Sequence, residues 1–192
     1  MDWIVNIESW DQKIILFING LNHPVLDQFM WAVSDSLFGV PFYLIFIFYI
    51  FQTYSLKKTI YLVLILLVLV GLADFIAHNL FKEIIQRYRP SHHLILKDQL
   101  HFYLKSNGDF YIGGKYGFVS NHAANMAALG WGVYLLLKKN YPNSWKYLFS
   151  FVLLISFSRM YLGVHYMTDI VGGWLLGITL AQISFFTFKK YL

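Results

Sequence analysis

Cysteine is absent from the 192 residues, which excludes a disulfide framework, a thiolate nucleophile and a cysteine-based metal site. Charge is scarce too. Only 13% of residues are charged, where an average soluble domain carries roughly a quarter. A basic leader is also lacking: the chain begins Met1-Asp2-Trp3 and places acids at Glu8 and Asp11, the reverse of a cleavable signal peptide. Neither an internal repeat nor a low-complexity segment is found. What is present in abundance is apolar surface, at 58% hydrophobic residues with 20% aromatics and a mean hydropathy of +0.53. That balance suits a small bundle with a lipid-facing surface and rings at the lipid-water interfaces. Length allows one domain over residues 1–192.

Five segments are apolar over lengths near the ~20 residues that a spanning helix needs. They are residues 36–54, 59–81, 118–137, 146–162 and 167–188. Residues 14–34 are less regular, interrupted by Asn19, Gly20, Asn22, His23 and Pro24. The expectation is therefore an all-α, polytopic transmembrane bundle with five spans, or six if this stretch crosses. The five-span arrangement makes residues 1–35 interfacial helices.

Lysine then sets orientation. With five spans, one face carries Lys57, Lys58, Lys138, Lys139, Lys146, Lys189 and Lys190 and no acid. Basic short loops mark the cytoplasmic side, so residues 82–117 and 162–166 face outward, to the periplasm or exterior of a bacterial inner membrane. Residues 91–117 form an outer loop of about 27 residues, long enough to serve as a lid or recognition element.

Three polar clusters sit at that outer face. The first runs from Lys82 to Pro90, with Lys82 and Arg89 seven residues apart. On a continuous helix they share a face and converge on one anion, and Pro90 ends the helix. The alternative is a pair of cations snorkelling to the interface. The second cluster is Val119-Ser120-Asn121-His122 at the start of a span, where backbone N–H groups and the helix dipole favour phosphate. Ser120 and Asn121 add side-chain donors, and His122 can give a proton to a leaving oxygen; a plain N-cap serine beside an interfacial histidine fits as well. The third cluster is Ser158-Arg159, His165 and Asp169. Spaced by four, His165 and Asp169 can face each other. The carboxylate fixes one imidazole nitrogen and leaves the other free to attack. Three cations, two histidines and one orienting acid describe phosphoryl transfer through a phosphohistidine, with no metal or other cofactor required.

Taken together, these residues resemble the type-2 phosphatidic acid phosphatase family, related to vanadium haloperoxidases. Its signature reads K-x6-R-P, P-S-G-H and S-R-x5-H-x3-D. The chain matches the first with Lys82, Arg89 and Pro90, and the third with Ser158, Arg159, His165 and Asp169. Ser120 and His122 match the second, where Val119 replaces proline and Asn121 replaces glycine. The resemblance implies His165 as nucleophile, Asp169 as its orienter, and His122 as acid and then base. It implies Lys82, Arg89, Ser120 and Arg159 as phosphate ligands.

Asp74 and His78 make a polar stripe below Lys82 and, with Ser158, are expected to support the site from behind. His92, His93 and His101 read as solvated loop residues. The implied substrate is a lipid phosphate met among membrane lipids, with no role for nucleic acid. Undecaprenyl pyrophosphate is favoured over lipid A phosphates, phosphatidylglycerol phosphate and phosphatidic acid. Nothing in the sequence fixes an oligomeric state. Two rivals compete. A zinc hydrolase would place three cations beside a metal ion, and a transport or structural protein would carry a degenerate site. The lysine distribution makes a direct prediction: a reporter fused after Leu192 reads cytoplasmic, and an external reading overturns the orientation.

Overall fold

The computed structural model describes residues 2–188, so Lys189 and Lys190 lie outside the described residues. Among these the protein is all-helical, with isolated bridges in place of strands. Helices α1 (Asp2–Asn19) and α2 (Pro24–Ser34) come first. Then follow α3 (Val40–Thr53), α4 (Leu56–Ile76), α5 (Asn121–Leu137), α6 (Ser144–Tyr161) and α7 (Met167–Phe188). The break in residues 14–34 falls where Gly20 and Pro24 interrupt the pattern: His23 caps α2, and Pro24 occupies its first position.

Three helical stretches are long and apolar enough to cross a bilayer: Ser36–Thr53, Leu56–Ile85 and Met167–Phe188. The other two of the five expected segments are α5, with 17 residues, and α6, with 18 residues that include Lys146 and Arg159. Their composition follows from position. α5 is the axis of the bundle, packed against α3, α4, α6 and α7 with no fully exposed residue along its length. A helix buried on every side needs small residues more than lipid-soluble ones, and α5 supplies Ala123, Ala124, Ala127, Ala128, Gly130 and Gly132.

The α5–α7 contact is the closest. A Cβ added at Gly177 would lie 2.3 Å from the Ala124 carbonyl oxygen and 2.7 Å from the Ala128 nitrogen. Gly173, one turn earlier, faces Ser120 and Ala124 in the same way. This small-residue seam lets two parallel backbones touch. It sets the starts of α5 and α7 side by side, where Ser120 N–H donates to the Asp169 carbonyl at 3.0 Å.

Helix α4 does not end regularly. Its buried stripe runs Thr59, Leu62, Leu66, Leu69 and Ala73 at helical spacing and continues to Ala77. The next buried residue is Lys82, five positions on, because residues Ala77–Lys82 form a π turn. The extra residue keeps Lys82 on the inward face, where regular α spacing would present Leu80 or Phe81 instead. Helix α4 then closes with Glu83–Ile85 and stops at Gln86, which takes the left-handed conformation at φ 51°. The expected continuous helix from Lys82 to Arg89 is thus corrected. Arg89 lies in the following loop, and Pro90 opens a short 3-10 turn well after the helix has ended.

The outer loop also begins earlier than residue 91 and is stapled to itself. Arg89 N–H donates to Lys115 O at 3.1 Å, Gly117 N–H to Arg87 O at 2.8 Å and Tyr111 N–H to Tyr103 O at 2.9 Å. Ser91 adds a bond from its hydroxyl to Ile112 O at 2.6 Å. Helices α1 and α2 pack over this end of the bundle. The Asn19 side chain donates to the His101 and Tyr161 carbonyls at 2.8 Å each, and Trp31 stacks on Tyr103 with centroids 4.8 Å apart. The π turn yields a test. Deleting Asn79 removes the extra residue, leaves the lysine four positions after Ala77 on the inward face of a regular helix and should keep phosphate release within about tenfold of the parent. Deleting Asn79 and Leu80 together turns the lysine by ~100° off that face and should lower release by ~10²-fold, the scale expected for a misplaced site group. Circular dichroism should show the helical content unchanged. Full activity in the double deletion would show that release does not depend on this register.

Candidate active site

Lys82 is buried at 7% exposure and donates through Nζ to Asn121 Oδ1. Asn121 in turn donates from Nδ2 to Asp74 Oδ1 at 2.7 Å, and Asn125 reaches the same oxygen at 2.9 Å. The Asn121 amide therefore connects Lys82 to Asp74, so its side chain is engaged beside the expected phosphate position. Asp74 stands behind Lys82 through this amide. His78 is exposed within the π turn.

Arg89, 8% exposed, enters from the loop and is held by its Nε–H on the Tyr116 carbonyl at 3.0 Å. Burial, and then the charge of Arg159, push its pKa down to about 10, so it remains a cation at neutral pH. Arg159 lies near the end of α6 at 3% exposure. Its NH1 donates to Ser34 Oγ on α2, and its NH2 donates to the Tyr111 hydroxyl at 2.6 Å. The Nε–H finds no partner among the described residues although it is buried. Such an orphaned donor costs ~1–3 kcal/mol, more for a charged group, until an acceptor arrives. Ser158, fully buried behind Arg159, donates its hydroxyl to Ile155 O at 2.7 Å within its own helix.

The histidines arrive from two helix ends. Ser120 is the N-cap of α5, its hydroxyl accepting Ala123 N–H at 3.4 Å, and His122 is the second residue of that helix. After α6, Gly163 takes φ +72°, with Gly163 N–H on Met160 O at 2.9 Å and Val164 N–H on Arg159 O at 3.1 Å. This paired closure needs a left-handed residue, which glycine adopts without a Cβ penalty. The turn delivers His165, 1% exposed. Its Nδ1 lies 3.3 Å from Asp169 Oδ2, which also accepts Tyr166 N–H at 3.0 Å. As third residue of α7, Asp169 caps the helix start and meets the histidine with one oxygen. Burial, and then the charges of Arg89, Arg159 and Lys82, hold His165 well below the ordinary histidine range. Its imidazole is neutral at pH 7, with the Nδ1 edge on Asp169 and the Nε2 lone pair available.

The Ser120 N–H bond to the Asp169 carbonyl sets His122 and His165 at adjoining helix starts. The structure thus brings Lys82, Arg89, Arg159, His122, His165 and Asp169 to one end of the bundle. The loop histidines serve the loop: His93 Nδ1 accepts Leu96 N–H at 3.1 Å, and His101 Nε2 lies 2.9 Å from Asp27 Oδ2. Four contributors carried no signal as site residues. Ser34 and Tyr111 bind Arg159, while Asp11 and Arg87 meet each other at 2.8 Å behind Asp169. Arg87 lay in plain view between Lys82 and Arg89, but only the fold reveals which way it turns.

Two histidines and a cation cluster thus meet at one end of a helical bundle. The PAP2 superfamily model matches residues 58–191, and the chain belongs to that superfamily. It is 32% identical over 192 residues to the lipid A 4'-phosphatase of Porphyromonas gingivalis, spanning 100% of this chain and 76% of that protein. The lipid A 4'-phosphatase of Bacteroides thetaiotaomicron is 28% identical over 167 residues, covering 87% of this chain and 72% of that one. The fold matches the crystal structure of a transmembrane PAP2 type phosphatidylglycerolphosphate phosphatase from Bacillus subtilis. That superposition has a TM-score of 0.70 at 24% identity, covering 96% of this chain and 87% of the other.

The Lys82–Asn121–Asp74 chain carries its own prediction. Asn121→Ala frees Lys82 and raises KM by roughly tenfold, with kcat changed by no more than about threefold, the pattern of lost ground-state binding. A fall confined to kcat would place Asn121 in the chemical step instead.

Proposed function

We propose that this lipid phosphatase removes a phosphate from an outer-leaflet lipid through a phosphohistidine at His165. The observation that carries the reading is the placement of a buried, neutral His165, tied to Asp169, beside Lys82, Arg89 and Arg159. In the first step Nε2 attacks phosphorus, and the bond to the lipid oxygen breaks. His122 gives that oxygen a proton, so the lipid leaves as an alcohol. In the second step His122 takes a proton from water, whose oxygen attacks the phosphohistidine. The P–N bond breaks, its electrons return to Nε2 and inorganic phosphate departs. Lys82, Arg89, Arg159 and the α5 N-terminus, with Ser120, hold the equatorial oxygens as their charge redistributes.

Topologically, α3 to α7 are the five spans, and α1 and α2 lie at the outer interface over the site. The burial of α5 and α6 among the other helices supports counting them as spans despite their lower hydropathy. Lysines at the far ends of the helices support the outward orientation. Lys57 lies in the first turn of α4, Lys138 and Lys139 follow α5, and Lys146 lies in the first turn of α6. A lipid diffusing in the outer leaflet then presents its headgroup to the site.

Two relatives bearing the name lipid A 4'-phosphatase move the first choice of substrate from undecaprenyl pyrophosphate to a phosphorylated glycolipid of the lipid A type. The test is phosphate release by purified protein from a panel of these lipids, with chelator present. The expected result is a kcat/KM at least ~10-fold higher for lipid A 4'-phosphate, equivalent to ~1.4 kcal/mol of transition-state preference. Higher turnover of undecaprenyl pyrophosphate would reverse the choice, and loss of activity with chelator would favour the zinc alternative. With labelled substrate, the parent and His122→Ala should trap phosphate on His165 while His122→Ala turns over ~10²-fold more slowly. Label retained on His165→Ala would overturn the intermediate.

A further inference from the structure

The Asp169 carboxylate has two oxygens with different duties. Oδ2 faces His165 Nδ1 and accepts Tyr166 N–H. Oδ1 accepts a hydrogen bond from Arg87 NH1 at 3.0 Å. The same NH1 donates to Thr168 Oγ1 at 2.6 Å, and NH2 donates to Asp11 Oδ2 at 2.8 Å. Asp11, on α1 and only 2% exposed, closes the circuit by accepting Thr168 N–H at 3.0 Å on Oδ1 and the Thr168 hydroxyl on Oδ2. The guanidinium also lies over the Tyr166 ring, 4.2 Å from its centroid.

Four contacts drawn from α1, the turn before α7 and α7 itself therefore fix the plane of Arg87. A lysine, with a single point of charge, would satisfy fewer of them. Two carboxylates share this cation, and despite burial they hold its pKa above the ordinary arginine value. Arg89 and Arg159, by contrast, meet neutral acceptors.

We infer that Arg87, braced by Asp11 of helix α1, is a positioning residue that fixes the rotation of the Asp169 carboxylate and thereby aims His165. Deprived of Arg87, the carboxylate keeps Tyr166 N–H as a pivot and loses the bond that stops it turning about its Cβ–Cγ axis. Oδ2 then leaves the Nδ1 edge of His165, and Nε2 loses its aim at phosphorus. Small misalignments of an attacking atom cost much in rate and little in binding. Asp11 acts one step further back: it holds the guanidinium, so the N-terminal helix takes part in catalysis without touching substrate. The inference rests on His165 being the nucleophile.

The experiment is steady-state kinetics on the full-length protein with the lipid phosphate it hydrolyses best, together with the rate of phosphohistidine labelling. Arg87→Ala should lower kcat and the labelling rate by ~10²-fold, with KM changed by no more than about threefold. Arg87→Lys should recover at least tenfold of that loss, and guanidinium added to Arg87→Ala should raise kcat, which repair of general packing would not do. Asp11→Ala should cost roughly tenfold. The double variant should be no slower than Arg87→Ala alone, since residues acting in series are not additive. A loss confined to KM overturns the inference by making Arg87 a substrate ligand. Additive losses, or no recovery with lysine and guanidinium, overturn it by making the contact a structural strut. A parent protein that releases no phosphate from any lipid overturns the phosphatase reading itself, and this inference with it.

Discussion

Three positive charges buried around two imidazoles are the constraint on which the rest of the structure depends. Lys82, Arg89 and Arg159 are each less than a tenth exposed, and among the described residues none forms an ion pair. Buried like charges repel one another, and removing each from water costs several kcal/mol more. The partners that hold them are neutral: the Asn121 amide, the Tyr116 carbonyl, and the Ser34 and Tyr111 hydroxyls. Neutral acceptors orient a cation without cancelling it. The cluster therefore keeps its positive charge, and an anion of the kind proposed above would relieve the repulsion that the fold sustains.

Packing has to offset that repulsion, and much of the bundle can be understood in those terms. The α5–α7 seam admits no Cβ at Gly177, and the resulting contact locks together the two helix starts that carry Ser120, His122 and Asp169. The π turn rotates a single lysine inward without disturbing the apolar stripe below it. The outer loop, bonded across its own width, carries Arg89 and Tyr111 at its two ends and so brings a cation and a hydroxyl to the same place. Rigid supports on three sides account for how a charged centre survives in a protein with so little charge elsewhere.

Much of this was legible in the sequence, for definite reasons. Residues at short fixed spacing, such as His165 and Asp169, keep their relation because about one helical turn joins them. Helices announced themselves by apolar length, and the break near Pro24 by its turn residues. The relation of Lys82 to Arg89 was misread because seven residues suggest two helical turns, whereas Gln86 ends the helix between them. Sequence spacing also carries no information on partners that meet only through tertiary structure. Asp11 lies 157 residues from Thr168, and Ser34 lies 125 residues from Arg159. As local features they look like an acid on an amphipathic helix and an ordinary helix-end serine.

Those long separations bear on the order in which the molecule is made. Helix α1 is synthesised well before the residues it grips, Arg87 and Thr168. Thr168 belongs to α7, the last of the described helices. The contacts of Asp11 with Arg87 and Thr168 therefore form only once α1, the outer loop and α7 have come together. On the reading proposed for His165, the site is complete only when the whole bundle is assembled.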